Sequence, residues 1–158
     1  MIILNQFEKL EQEAFDDNVK IHNFYLGEEN LKGLYIDGHI AINTTVKTNA
    51  EKACITAEEL GHHYTTSGNI IDMQDVRNIK QERKARAWAY DNRIGLTGLI
   101  RAFERCCQSR YEVADFLGVT EEFLSDALNY YKVKYGEFTV IDHYIIRFIP
   151  CLMIAKMF

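Results

Sequence analysis

The run Ala53-Cys54-Ile55-Thr56-Ala57-Glu58-Glu59-Leu60-Gly61-His62-His63-Tyr64 constrains the fold more than any other stretch of the chain. At 100° per residue, Ala57, Leu60, Gly61 and Tyr64 fall within about 80° of Ala53 and form a packing face. Glu58 and His62 lie together at about 140° and 180°, with Glu59 at about 240°. Such a helix buries a face of small residues and holds two ionisable side chains side by side, one turn apart. Gly61 falls on the packing side, where glycine is roughly 1 kcal/mol less favourable than alanine in a helix interior. A neighbour too close to admit a Cβ would explain it. Thr48 or Asn49 can cap this helix, and Glu51 in its first turn suits the helix dipole. It is expected to run from Ala50 to Tyr64, with Thr65-Thr66-Ser67-Gly68-Asn69 breaking it.

On either side the patterning alternates between helix and strand. Leu4, Phe7, Leu10, Ala14 and Phe15 have amphipathic helical spacing, and Asp16-Asp17-Asn18 ends that helix. Val19 to Leu26 alternates as a strand, and Gly27-Glu28-Glu29-Asn30 reads as a turn. Leu34-Tyr35-Ile36, then Asp37-Gly38, then His39-Ile40-Ala41-Ile42-Asn43 is a hairpin signal with Asp-Gly at the turn. The expectation is a helix followed by a three-stranded antiparallel sheet, with His39 to Asn43 as a candidate edge for an extended peptide. Further helices are expected over Val76 to Asn92, Leu96 to Cys107, Tyr111 to Leu117 and Thr120 to Tyr135. Phe138 to Ile141 and Tyr144 to Ile149 read as terminal strands or extended chain.

At 158 residues the chain can bury one sizeable core. Its formal charge of −5 argues against a general nucleic-acid or anionic-membrane binder. Met1-Ile2-Ile3-Leu4 is followed by Asn5, Gln6, Glu8 and Lys9, with no secretory pattern. Tyr144 to Phe158 carries Arg147, Pro150 and Lys156 and is too short to span a bilayer. Cys54, Cys106, Cys107 and Cys151 lack C-x-x-C spacing. These features describe a cytoplasmic protein with reduced, buried thiols and no membrane partner.

Glu58-Glu59-Leu60-Gly61-His62 matches the H-E-x-x-H pattern of zinc peptidases except that Glu58 stands where the first histidine belongs. In that pattern, ligands at i and i+4 share a helix face and the Glu after the first acts as general base. A solvated polar face would also account for Glu58, Glu59 and His62. A third ligand is available in Gln81-Glu82-Arg83-Lys84-Ala85-Arg86-Ala87-Trp88-Ala89. There Ala85 and Ala89 lie on the side of Glu82 and would let two helices approach closely. The simpler reading of Glu82 is an exposed pair with Arg86 at i+4.

Glu-Leu-Gly-His-His, followed about twenty residues later by Glu-x-x-Ala-x-x-(aromatic)-Ala, resembles the ImmA/IrrE metallopeptidases over roughly Ala50 to Tyr135. The resemblance implies Glu58, His62 and Glu82 as metal ligands, Zn²⁺ as the metal, and Glu59 as the general base. It also implies a helix-turn-helix transcriptional repressor as protein substrate, cleaved in an antirepressor role in a phage or mobile element. The implied fold is α+β: a zincin-like helical core with a small antiparallel sheet over 1–95, a helix-turn-helix-like helical segment over 96–136, and a C-terminal extended segment over 137–158. Glu58 departs from the family pattern. Two histidines and one Glu leave a Zn²⁺ site at net +1, whereas Glu58, His62 and Glu82 make it neutral, so water is acidified less. More oxygen ligation also suits Mn²⁺. His63 points about 100° from His62 and reads as a supporting or packing residue.

Arg110 to Leu128 has helix-turn-helix spacing: Ala114 packs, Gly118 turns, Val119 inserts, Thr120 caps, and Leu124 and Leu128 face inward. Its second helix begins Thr120-Glu121-Glu122 and adds Asp126, which argues against phosphate contact and hence direct nucleic-acid binding. Phe103, Tyr111, Phe116, Phe123, Tyr130 and Tyr131 read as core. Three functions are open: a metal-dependent endopeptidase acting on a repressor, a catalytically weak or inactive relative that regulates a repressor by binding it, and a DNA-binding regulator using the helix-turn-helix, which the acidic second helix disfavours. Glu58 is the main support for the second.

Overall fold

The computed structural model describes residues 4–27, 30–65 and 76–158. The breaker at 66–69 and the centre of the expected turn at 28–29 lie outside them. The chain forms two compact units, Met1–Ala89 and Tyr90–Phe158.

The first unit opens with α1 (Gln6–Asp16), where Asn5 and Glu8 form a reciprocal capping box. Its buried residues Phe7, Leu10 and Ala14 keep the helical spacing of the sequence, and α1 packs on α2 (Asn49–Thr65). Between them, β1 (Lys20–Phe24), β2 (Gly33–Ile36) and β3 (His39–Asn43) form a sheet in the order β1-β3-β2. The Asp-Gly hairpin forms as expected, with Asp37 at φ 45° and Gly38 at φ 79°, both left-handed as a two-residue turn of this kind needs.

Two sheet expectations are corrected. β1 pairs with β3 in parallel, so the sheet is mixed rather than antiparallel. Alternating residues report which face is buried but not strand direction, and the chain after β1 crosses to the far side of β3 before turning back. In consequence β3 is the central strand and is paired on both sides, so the segment His39–Asn43 offers no edge; β2 lies at one. Ile40 and Ile42 of β3 are fully buried.

α2 buries Ala53, Ala57, Leu60 and Gly61, the face read from its spacing. Tyr64, expected on that face, is instead 41% exposed. In the helix's last turn its ring lies against Trp88 and its hydroxyl donates to the Asp17 carboxylate. The next helix, α3 (Val76–Arg93), buries Ala85 and Ala89 completely.

The second unit contains α4 (Gly95–Glu104), α5 (Arg110–Leu117) and α6 (Glu121–Tyr135), then β4 (Phe138–Ile141), β5 (Tyr144–Arg147) and β6 (Met153–Lys156). The strands form an antiparallel sheet in the order β4-β5-β6, and β6 was not anticipated. The helix-turn-helix spacing is realised. Gly118 ends α5 at φ 67°, Thr120 caps α6 by accepting from the Phe123 N–H, and Ala114, Val119, Leu124 and Leu128 are buried. Phe123 and Tyr131 are core as expected, but Tyr111 is 64% exposed, and Phe103 and Phe116 each keep more than a third of their surface in solvent. A short helix has only one buried stripe, and in α5 Val113, Ala114 and Leu117 fill it. The expectation of buried thiols holds only for Cys54; Cys106 and Cys151 are exposed, and none of the four cysteines is in a disulfide. Among the described residues, no helix is long and apolar enough to cross a membrane.

Tyr131 is fully buried, and its hydroxyl donates to the Tyr90 carbonyl at 2.9 Å and accepts from the Gly95 N–H at 3.0 Å. It ties the start of α4 to the end of α3. Tyr131→Phe removes the partner of both groups and should cost about 1–3 kcal/mol. An unchanged denaturation midpoint in urea would show that the hydroxyl does not hold this joint.

Candidate metal centre and active site

The site begins with the glycine that the helix pattern left unexplained. A Cβ on Gly61 would collide with the Ala85 carbonyl oxygen, and would meet the carbonyl carbon at 2.8 Å and Cα at 3.0 Å. α2 and α3 therefore meet backbone to backbone, with Gly61 and the fully buried Ala85 as the small residues that allow it. One residue past that contact, His62 Nε2 lies 3.0 Å from Glu82 Oε2. The other Glu82 oxygen accepts from Arg86 Nε at 2.8 Å. The i+4 pair with Arg86 is thus present on one oxygen, and the other oxygen meets His62. The hydrogen bond to His62, against the opposing effect of burial, holds the Glu82 carboxyl below its usual range. Burial disfavours a charged His62. The hydrogen bond to Glu82 and the charges of Glu59, Glu82 and Glu58 outweigh it and raise the affinity of the ring for a proton.

Glu59 is positioned by the sheet. A Cβ on Gly33, the first residue of β2, would meet Glu59 Oε1 at 2.8 Å and Cγ at 3.2 Å, and would also collide with the Ile55 side chain. The carboxylate accepts the backbone N–H of Tyr35. The two-residue turn pairs Ile36 with His39, so Ile36 and Leu34 exchange backbone bonds with β3 and the Tyr35 N–H faces the open edge. Burial pushes the Glu59 carboxyl up to about 7, against the lowering effect of His62 and with added repulsion from Glu58 and Glu82.

The Tyr35 side chain carries a second link. Its hydroxyl accepts the Gly38 N–H at 3.1 Å and shares a hydrogen bond of 2.7 Å with His63 Nδ1. His63, read from the sequence as a supporting or packing residue, joins the hairpin to α2. Gly33 and Tyr35 were missed by the sequence reading, although counting back from Asp37-Gly38 marks both as residues whose backbone groups face away from β3.

The four acidic and imidazole groups singled out from the sequence therefore share one electrostatic environment. His62 and Glu82 are in contact, Glu59 is fixed beside them, and Glu58 acts on the protons of both Glu59 and His62. Among the described residues, no group of three or more His, Cys, Asp or Glu is already arranged to hold a metal ion. The His62–Glu82 pair does converge, and one imidazole nitrogen with carboxylate oxygens is a donor set that suits a divalent cation. Glu58 brings a further carboxylate from the turn of α2 before His62.

The family model of the IrrE N-terminal-like domain, Peptidase_M78, matches residues 13–129, about three-quarters of the chain. That span holds the whole of the β1-β3-β2 sheet, α2, α3, α4 and α5, and α6 up to Asn129. No curated protein and no solved structure matches the chain. The family implies a divalent metal and a protein substrate. With its matched domain and its motif helix set against α3, the chain belongs to the IrrE N-terminal-like family, metallopeptidases of the ImmA/IrrE type.

Proposed function

We propose that the chain is a metal-dependent endopeptidase that cleaves a helix-turn-helix-type transcriptional repressor, and so acts as an antirepressor in a phage or mobile element. The observation that carries the catalytic part is the meeting of His62 with Glu82 across the Gly61–Ala85 backbone contact, beside a Glu59 held on the edge of β2. The repressor and the genetic setting rest on the ImmA/IrrE resemblance.

In this reading Glu58, His62 and Glu82 hold Zn²⁺ or Mn²⁺. The ion supplies Lewis acidity toward the scissile carbonyl and toward water. Glu59 takes a proton from the attacking water and passes it to the leaving amine. The Tyr35 N–H and the close approach of Gly33 keep that carboxylate from swinging away. Extended substrate lies along β2, where the Gly33 backbone groups and the Tyr35 carbonyl face the open edge while the Tyr35 N–H is taken by Glu59. Having two carboxylates and one imidazole makes the loaded site neutral, which favours a slower enzyme than a two-histidine site would give.

Co-expression with a candidate repressor, read by intact mass, tests the reading. A single chelator-sensitive cut is expected. The alternative, a relative that binds the repressor without cutting, draws on Glu58. It predicts a stable complex with the repressor intact, with metal and without. Glu82→Ala separates the two further: it should remove cleavage and at least nine-tenths of bound metal in the first case, through loss of one of about three ligands. In the second it should leave binding unchanged.

A further inference from the structure

The second unit contains a cavity of about 400 Å³ that the peptidase chemistry does not use. Its apolar floor is built from Leu99, Val113, Leu124, Leu128 and Phe148, all but closed to solvent. Arg110 and Lys132 stand among its lining residues with Ser125 and Asn129, and none of the lining residues is an aspartate or glutamate. One wall, from Phe148 to Ile154, lies beyond residue 129, where the family match ends.

Charge sets the class of occupant. In a chain of net charge −5, the two cations of this cavity have neutral partners: Arg110 Nη1 donates to Ser125 Oγ at 3.1 Å, and Lys132 Nζ to Asn129 Oδ1 at 3.4 Å. Neither forms an ion pair with a described carboxylate. The start of α5 is not the anion site, because Ser109 and Glu112 cap it reciprocally and Glu112 also accepts the Gln108 N–H at 2.6 Å. An anion would be met by side chains, not by the helix terminus. Behind those cations the floor offers only carbon to a ligand. The volume lies toward the low end of small-molecule sites, roughly 300–1,000 Å³. At about 30 Å³ per water-sized group it holds about a dozen such groups.

We propose that this cavity binds a small amphiphilic monocarboxylate, an aliphatic acid of about eight carbons, with its chain on the Leu99–Phe148 floor and its carboxylate between Arg110 and Lys132. A neutral amphiphile would leave both cations without an anionic partner, and a cationic one would be repelled. A dicarboxylate would bury a second charge on an apolar floor.

Octanoate is the probe, titrated calorimetrically into the full chain, with octylammonium and acetate as comparisons. The expected result is saturable one-to-one binding of octanoate, with octylammonium and acetate each at least tenfold weaker. The double variant Arg110→Ala/Lys132→Ala should weaken octanoate by about tenfold or more. Ser125→Trp, which fills the cavity from a partly exposed position on α6, should abolish binding. Circular dichroism melts of both variants should overlay that of the parent. Equal binding of octanoate and octylammonium, or octanoate affinity unchanged in both variants, would overturn the proposal. Tighter binding of an acetylated Asp-Leu-Leu amide than of octanoate would overturn it in favour of a peptide-docking site. The outcome is independent of whether the chain cleaves a repressor.

Discussion

Glu59→Gln is expected to remove cleavage by a factor of about 10²–10⁴ while leaving metal content at the parent level. The substitution keeps the shape of the side chain and an oxygen able to accept the Tyr35 N–H, so the site remains assembled. What it removes is the ability to accept a proton from water and return it to the leaving amine. The prediction is specific because Glu59 is not among the three residues assigned to the metal. A variant that loses metal along with activity would make Glu59 a ligand, and one that cuts at the parent rate would remove it from the mechanism. Single-turnover cleavage with metal content measured on the same preparation decides between these.

The second large effect is structural. Gly61→Ala should destabilise the first unit by about 1–3 kcal/mol and should separate His62 from Glu82. On an isolated helix the same change is favourable by roughly 1 kcal/mol, so the sign of the effect discriminates. The added Cβ meets main-chain atoms of Ala85, which cannot rotate out of the way as a side chain could. α3 must move off α2, and the two donors on either side of the contact move with it. A melting temperature at or above that of the parent, with metal binding retained, would show that the helices have slack at this contact.

These two residues also show what could be read from the chain before folding. Gly61 on a packing face implied a close neighbour, and Ala85 and Ala89 at helical spacing from Glu82 named it. Helical periodicity fixes which residues share a face, and small residues report contact distance. The same logic placed Glu58 and His62 together and realised the hairpin at Asp37-Gly38. It could not place β1 beside β3, because a strand's alternation is identical whether its neighbour runs parallel or antiparallel. The edge was therefore assigned to His39–Asn43 when it belongs to β2. Tyr35 was overlooked for a related reason. In a hairpin its side chain reads as one more alternating aromatic, and only the pairing register shows its N–H turned toward Glu59. Tyr64 was misplaced because a helical wheel treats the last turn like the middle ones, whereas there it lies partly exposed against Trp88. β6 went unseen because Met153–Lys156 has no buried alternation of its own, Met153, Ala155 and Lys156 all being exposed, and its pairing with β5 alone makes it a strand.

In the proposed mechanism Glu58, His62 and Glu82 form a working divalent-metal site despite the missing first histidine. Elemental analysis of the purified full chain, after equilibration with Zn²⁺ and separately with Mn²⁺ and removal of loose ions, tests it most directly. About one ion per chain is expected, retained in Glu59→Gln and lost in Glu58→Ala, His62→Ala and Glu82→Ala. A folded parent chain that takes up neither ion, or one whose single ion survives all three alanine substitutions, would contradict it.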